Sequence, residues 1–272
     1  MESFLSGISR FCFLASYGIA LVMELIQLWG ARPWKRWTGI AFGTAGLLAH
    51  TLFLLIRRPS IAAPYGSLLL LAWVVAVFYL YGTIHHRRLA WAVFVLPIVL
   101  VLVLLSTAFP ATAPDSVDRW FTGDRFWGIV HGGLLFLAAI GASVGCVASV
   151  MYLVQAFRLK SKLLPSEGFR LLSLERLAVM SRRAVLWTFP LLTVGLLVGI
   201  ILLANYEGPS RAWTTPRVLS TAGLWLAFLL LLYLRYATQF SNKRLAVLTI
   251  AIFGLMLVTL LTAHPVVPGG AP

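Results

Sequence analysis

The sequence predicts an all-α protein, a polytopic transmembrane helical bundle of about eight spans with both termini outside. Of its 272 residues, 60% are hydrophobic and only 11% are charged, whereas soluble domains carry about 25% charged residues. The mean hydropathy is +0.92. The apolar residues form continuous blocks of about 20, which is the length that a helix needs to cross a bilayer. We therefore expect one integral membrane domain over residues 1–272.

Each block is justified by the same length criterion, because about 20 helical residues span the hydrocarbon core. The blocks do not show the ten-residue alternation of a membrane β-barrel. The first block has neither a basic segment before it nor a small-residue cleavage pattern after it, so we expect a retained helix. We find no convincing internal repeat. The predicted spans are roughly residues 8–29, 37–56, 66–84, 89–109, 127–156, 184–204, 218–238 and 245–263.

The distribution of lysine and arginine predicts the orientation of these spans. Loops on one side hold 15 of the 22 basic residues and loops on the other side hold 7. The richer side faces the cytoplasm in membrane proteins. We therefore expect a multi-pass protein of the inner or plasma membrane. Most of the net charge of +14 follows from this asymmetry and from attraction to the anionic lipid bilayer, and nucleic-acid binding is not expected.

Two loops carry most of the sequence outside the membrane. Residues 110–126 form the predicted outer loop, with three of the eight acidic residues. Residues 158–183 form the predicted cytoplasmic loop. Within it, Leu174 and Leu177 share one helical face while Arg176 and Arg183 share the other. That pattern predicts a short interfacial helix.

Histidines are the main candidates for chemistry, because neutral imidazole binds metals and is a usual axial ligand of haem iron. His131 opens the fifth span and His264 closes the eighth, both at the outer side. Each alone is compatible with a simple interfacial histidine. Together, at one depth, they favour a pair of axial ligands to the iron of a planar metallocycle. No Walker loop, HExxH or CxxC motif is present.

Other polar residues allow both a functional and a structural interpretation. His50 lies inside the second span, where it is either a ligand or a hydrogen-bonding partner of a neighbouring helix. Arg57 and Arg58 lie on the outer side and either anchor the helix or pair with an anionic ligand such as a propionate. His85 and His86 lie in a cytoplasmic turn and are expected to be ordinary polar residues there.

Four segments resemble the cytochrome c assembly family, the CcsA/CcmC/HemX group of haem-handling membrane proteins. These segments are GLLAHTLFLLIRR, WGIVHGGLLFLAAIGASVGCVASVMYLVQ, SLERLAVMSRRAVLWTFPLLTVGLLVGIILL and KRLAVLTIAIFGLMLVTLLTAH. The resemblance extends over about residues 45–264. It implies that His131 and His264 bind the iron of an outer haem and that His50 is one ligand of an inner haem. It also places Trp213 and Arg217, in WTTPR, where the family has its tryptophan-rich motif.

The chain departs from the family pattern in two places, and both favour a divergent HemX-like branch. Threonines replace most of the tryptophan-rich motif, and Arg235 stands where a second in-membrane histidine is expected. The resemblance implies a non-enzymatic factor that presents haem b to apocytochrome c together with a partner membrane assembly protein. The alternative is a HemX-like regulator of haem biosynthesis that acts through a cytoplasmic partner without obligatory haem transfer.

Overall fold

The protein is an all-helical membrane bundle, as the sequence predicts. The computed structural model describes residues 9–30, 33–61, 63–85, 90–110, 123–162, 171–204 and 214–261. These segments contain eight helices: α1 Arg10–Gln27, α2 Pro33–Arg57, α3 Pro64–His85, α4 Ala92–Ser106, α5 Gly123–Lys160, α6 Leu174–Ala204, α7 Pro216–Tyr236 and α8 Asn242–Leu261. Helices suit this sequence because each satisfies its own backbone hydrogen bonds inside a lipid environment.

Seven of the described helices are long and apolar enough to cross a membrane, and α4 is the exception. It has 15 residues, or about 22 Å at 1.5 Å per residue, instead of the 21-residue span expected at 89–109. Single turns extend it at both ends. The backbone carbonyl of Trp91 accepts hydrogen bonds from the amides of Phe94 and Val95, and the amide of Phe109 donates to the backbone carbonyl of Ser106. The ordered apolar segment is therefore longer than the regular helix.

The eight helices form two rings of four. In the first ring, α1, α2, α3 and α4 contact one another in chain order, and α1 also contacts α4. In the second ring, α5, α6, α7 and α8 do the same, and α5 also contacts α8. Contacts of α3 with α5 and α8, and of α4 with α5, join the rings. No internal repeat is predicted from the sequence, and this correspondence is visible only in three dimensions.

One hydrogen-bonded pair occurs at the equivalent place in both rings. The indole nitrogen of Trp73 on α3 donates to the hydroxyl of Thr51 on α2 at 2.9 Å. The indole nitrogen of Trp225 on α7 donates to the hydroxyl of Thr193 on α6, also at 2.9 Å. The buried faces of α2 and α6 keep the same register relative to these threonines, with Gly43, Gly46, His50 and Phe53 matching Val185, Thr188, Leu192 and Gly195.

The region 158–183 differs from the prediction. Helix α5 continues to Lys160 and α6 begins at Leu174, so residues 174–183 are the first turns of a spanning helix and not a separate interfacial helix. The helix continues because Leu177 and Ser181 are buried on the same face that packs farther along, and no proline or glycine interrupts it before Pro190. In the predicted outer loop 110–126, residues 111–122 lie outside the described part of the chain.

Candidate functional site

His131 lies in the first half of α5, where it is half-buried against α6. Its Nδ1 is 2.7 Å from the carbonyl oxygen of Gly195. A carbonyl can only accept, so Nδ1 carries the hydrogen and donates it. In the neutral ring the lone pair is then on Nε2, which is the tautomer that metal-ligating histidines adopt when a backbone carbonyl holds the other nitrogen. This bond orients the imidazole against α6, with Nε2 also close to it, 3.4 Å from the position that a Cβ atom of Gly199 would take.

Glycines on α6 create the space that the imidazole occupies. A Cβ atom added to Gly199 would lie 2.5 Å from Cε1 and 2.9 Å from Nδ1 of His131. Such distances are shorter than any real contact, so even alanine at this position would force the ring to move. Gly128 and Gly132, beside His131 on α5, face open space. The histidine therefore lies in a close-fitting recess on one side and next to open surface on the other.

The remaining parts of the expected outer site lie outside the described residues. These are His264, Trp213 and the side chain of Arg217. Helix α8 is antiparallel to α5, since Thr249 lies beside Gly145 and Ala246 shares a small cavity with Ser149. The described part of α8 ends at Leu261, three residues before His264. It therefore ends toward the same side of the second ring at which α5 begins.

His50 occupies a very different environment, because it is completely buried in the first ring. Its ring stacks on Phe13 with centroids 4.3 Å apart and an interplanar angle of 1°. The hydroxyl of Tyr17 lies 3.4 Å from Nδ1, and Phe53 closes the cluster by packing on Phe13. Nε2 is inaccessible and has no hydrogen-bond partner among the described residues. A haem cannot reach this nitrogen in the packing observed, so His50 does not fit a haem ligand.

Arg235 is not placed as a substitute for a second ligand beside His50. It lies at the last turn of α7, in the second ring, and lines a cavity of about 10 Å³ with Ser149, Ser181 and Asn242. Ser149 and Ser181 are hydrogen-bonded to each other at 3.0 Å. His50 contacts α1 in the first ring. The expected correspondence between these two residues is therefore not supported by their positions.

The other candidate residues have local partners or are exposed. Arg57 and Arg58 are exposed at the end of α2, and Arg58 Nε donates to the carbonyl of Leu55 at 3.4 Å. His85 stacks on Tyr81 at 4.1 Å, which agrees with its interpretation as a polar turn residue, and His86 lies outside the described residues. Within the described part of the chain, no group of three or more His, Cys, Asp or Glu could hold a metal ion.

One pattern associated with catalysis does occur in the sequence, at residues 141–145, which read Gly-Ala-Ser-Val-Gly. In serine hydrolases such a pattern places the serine on a sharp turn between a strand and a helix. Here Ser143 lies in the middle of α5, is buried, and donates to the carbonyl of Ala139 at 2.8 Å. The two glycines instead allow close packing against Thr188 and Ala184 of α6. This serine is structural.

The fold, with its seven long apolar helices in the described residues, is that of a multi-pass helical membrane protein. Comparison with family models identifies its family: the model described as cytochrome C assembly protein matches residues 61–264. The chain belongs to the cytochrome c assembly protein family and has a role in cytochrome c maturation, a haem-related process. No curated protein and no solved structure matches the chain.

The limits of the family match separate the candidate residues into two groups. His131 and His264 lie inside it, and His264 is its last residue. His50 and Arg57 lie before residue 61, although the sequence resemblance was expected to begin at about residue 45.

Sequence reasoning identified His131 but missed Gly199, whose only signal was its place in a Gly-x-x-x-Gly pattern. It also missed the enclosure of His50 by residues of α1.

Proposed function

We propose that the protein binds one haem, as haem b, at the side of the second ring where α5 begins, and presents it there for attachment to apocytochrome c. In this proposal His131 and His264 would both bind the haem iron. The observation that carries it is the hydrogen bond from His131 Nδ1 to Gly195, because this bond holds the imidazole in a ligand orientation. Membership of the family supplies the haem-related context.

The residues of this chain hold and orient the cofactor and do not perform bond chemistry. When bound, the haem supplies vinyl groups that react with thiols of the apocytochrome, so no nucleophile is needed from the protein. His131 would bind the iron, and the surface beside Gly128 and Gly132 is open. Trp213, Arg57 and Arg217 complete the proposed haem surroundings, with the two arginines available to the propionates. The protein is thus an assembly factor, and it works with a partner membrane assembly protein.

The proposal assigns one haem to the chain, because His50 is enclosed by Phe13 and Tyr17. This is a change from the two sites that the family resemblance implies. The site is expected on the outer face of the inner or plasma membrane. Cysteines introduced at Ser116 and Ser161 test this sidedness, and we expect only the first to react with an impermeant maleimide in intact cells. Equal labelling would contradict the proposed orientation.

Haem stoichiometry and optical spectra of the purified protein test the ligation. We expect about one haem per chain and a low-spin Soret band, since two imidazoles give a strong axial field. His131→Ala and His264→Ala should each lose haem or convert it to high spin. His85→Ala, which changes an exposed histidine at the end of α3, serves as the matched control and should leave the spectrum unchanged.

Three outcomes would contradict the proposal. Unchanged spectra in both ligand variants would rule out His131 and His264 as the pair. A ratio of two haems in the unaltered protein would mean that a second site exists after all. A folded protein without haem, purified from cells with ample haem, would favour the HemX-like regulator of haem biosynthesis.

A further inference from the structure

A cleft on the second ring lies far from His131, near the beginning of α6. Its volume is about 580 Å³. Apolar side chains of Val144 on α5 and Met180 on α6 form part of its wall, and charged and aromatic side chains complete it. The cleft is open to its surroundings along α6. It combines an apolar wall with cationic groups, which is the composition that an amphiphile with an anionic head requires.

The cationic and aromatic groups of the cleft follow one line along α6. Arg176, Met180, Arg183 and Trp187 are separated by four, three and four residues, so they lie on the same helical face. All four border the cleft. Arg176 and Arg183 are exposed, and Trp187 is 73% exposed. Such exposure is costly for tryptophan in water but ordinary at a membrane interface, where the amphipathic ring is favoured.

The length of α6 gives the depth of this line in the membrane. Arg183 lies 21 residues before the helix end at Ala204, which is about 32 Å at 1.5 Å per residue. The hydrocarbon core is about 30 Å thick. With Ala204 at one boundary of the core, Arg183 therefore lies at the other. Arg176 is then about 10 Å farther out, among the headgroups, and the backbone of Trp187 is about 6 Å inside the core, from where its side chain leans toward the N-terminus of α6 and so toward the interface.

The charge at the cleft is positive on balance. Arg176 and Arg183 contribute two guanidinium groups, against the single carboxylate of Glu175. A guanidinium pairs well with phosphate because its donors match two phosphate oxygens at once. The level between the two arginines is the level at which a lipid phosphate lies, just outside the hydrocarbon. The depth of the two arginines in the membrane and their positive charge therefore both favour a lipid phosphate.

We propose that this cleft binds one anionic phospholipid, with its phosphate between Arg176 and Arg183 and an acyl chain along Val144 and Trp187. Basic pockets between transmembrane helices on the positively charged side of membrane proteins bind anionic headgroups in this manner. The site makes no use of His131, so the proposal is independent of haem binding. It gives the protein a preference among the lipids that surround it.

Lipid binding to the purified full-length chain in detergent tests the proposal. The probes are a phosphatidylglycerol, a phosphatidylcholine with the same acyl chains, and inorganic phosphate, with bound lipid counted by native mass spectrometry. We expect phosphatidylglycerol to bind more tightly than phosphatidylcholine. The double variant Arg176→Gln/Arg183→Gln should weaken phosphatidylglycerol binding by about 30-fold, the expected effect of two lost cationic contacts with an anionic headgroup.

The matched control is the double variant Lys243→Gln/Arg244→Gln, which removes two exposed cations at the beginning of α8 and should change the affinity less than twofold. Equal weakening by both double variants would overturn the proposal, because it would show general charge attraction. Equal binding of the two lipids, or displacement of the lipid by inorganic phosphate alone, would also overturn it.

A second measurement keeps the test decisive if the arginine variant does not fold. Phosphatidylglycerol with brominated acyl chains should quench the fluorescence of Trp187 in the otherwise unaltered protein. Trp187→Phe should then remove a saturable component of the quenching. If quenching is the same with and without Trp187, no chain lies in the cleft and the proposal is wrong.

Discussion

The two rings share one arrangement of helices but use their histidines in opposite ways. In the first ring the buried histidine, His50, is on the second helix, α2, and aromatic side chains of α1 cover it. In the second ring the histidine is on the first helix, α5, and glycines of α6 make room for it. The first arrangement closes the imidazole inside the protein, whereas the second holds it half-buried with a fixed tautomer. The same scaffold therefore supports a packed core in one ring and a proposed ligand site in the other.

The positions of the small residues account for this difference. In the first ring Gly46 on α2 receives Tyr17, and a Cβ there would lie 3.0 Å from its ring. In the second ring the corresponding position of α6 holds Thr188, which packs against Gly141 of α5. In the first ring the glycine is on the second helix and the larger residue is on the first, and in the second ring this order is reversed. The bulky side chain of the first ring therefore fills the space beside its histidine, whereas in the second ring Gly199 of α6 leaves room for His131.

The largest expected effect comes from removing the cover of His50. Phe13→Ala leaves a cavity on the stacked face of the imidazole, and Phe→Ala changes in cores cost about 3–5 kcal/mol. We expect a correspondingly lower melting temperature of the purified protein in detergent, with an unchanged ratio of haem to protein. Phe11→Ala is the matched control, since Phe11 is 74% exposed. An increase of the haem ratio after Phe13→Ala would mean that His50 becomes a ligand once uncovered.

The next effect concerns the recess of the second ring. Gly199→Ala places a methyl group against Cε1 and Nδ1 of His131, so the ring must turn away from the carbonyl of Gly195. Loss of such an orienting contact lowers metal affinity by about 10–100-fold. Titration of the haem-free protein with haem measures this directly. Gly223→Ala is the control, because its added methyl group meets only open space; equal loss in both variants would contradict the positioning role.

Several features of this comparison were predictable from the sequence, and others were not. Block length and composition gave the helices, since a lipid environment leaves few alternatives. The depth of His131 followed from its place in a span. The cover over His50 was not predictable, because Phe13 and Tyr17 come from another helix and nothing in their local pattern identifies the partner. The apolar and basic faces of residues 174–183 predict a separate interfacial helix, but their apolar face continues into the rest of α6.

The separation of Arg235 from His50 was predictable in part. His50 lies toward the end of its span, and Arg235 lies toward the end of α7, which the alternation of spans directs to the opposite side of the membrane. Depth along each helix therefore already argued against their pairing. Their assignment to different rings required the structure, because ring closure depends on contacts between α1 and α4 and between α5 and α8.

The smallest expected effect tests whether the two rings are equivalent in energy as well as in geometry. Thr51 and Thr193 each accept from a tryptophan indole at 2.9 Å. Each hydroxyl also donates to the carbonyl four residues earlier, at 2.7 Å in Thr51 and 2.8 Å in Thr193. Thr→Val keeps the shape of the side chain and removes the acceptor, and Trp→Phe removes the donor. A double-mutant cycle of the two changes in each ring isolates the coupling energy.

Hydrogen bonds between membrane helices contribute about 0.6 kcal/mol on average and at most about 1.7 kcal/mol. We therefore expect coupling energies of about this size and of equal value in the two rings, measured by unfolding of the purified protein in mixed detergents. Trp225 also stacks on Phe189 with centroids 5.8 Å apart, but Trp225→Phe changes this contact in the single and in the double variant alike, so the change cancels in the cycle. A difference above about 1 kcal/mol between the rings would show that matching geometry does not mean matching energy. The two rings would then be equivalent in the arrangement of their helices but not in the energy of their hydrogen bonds.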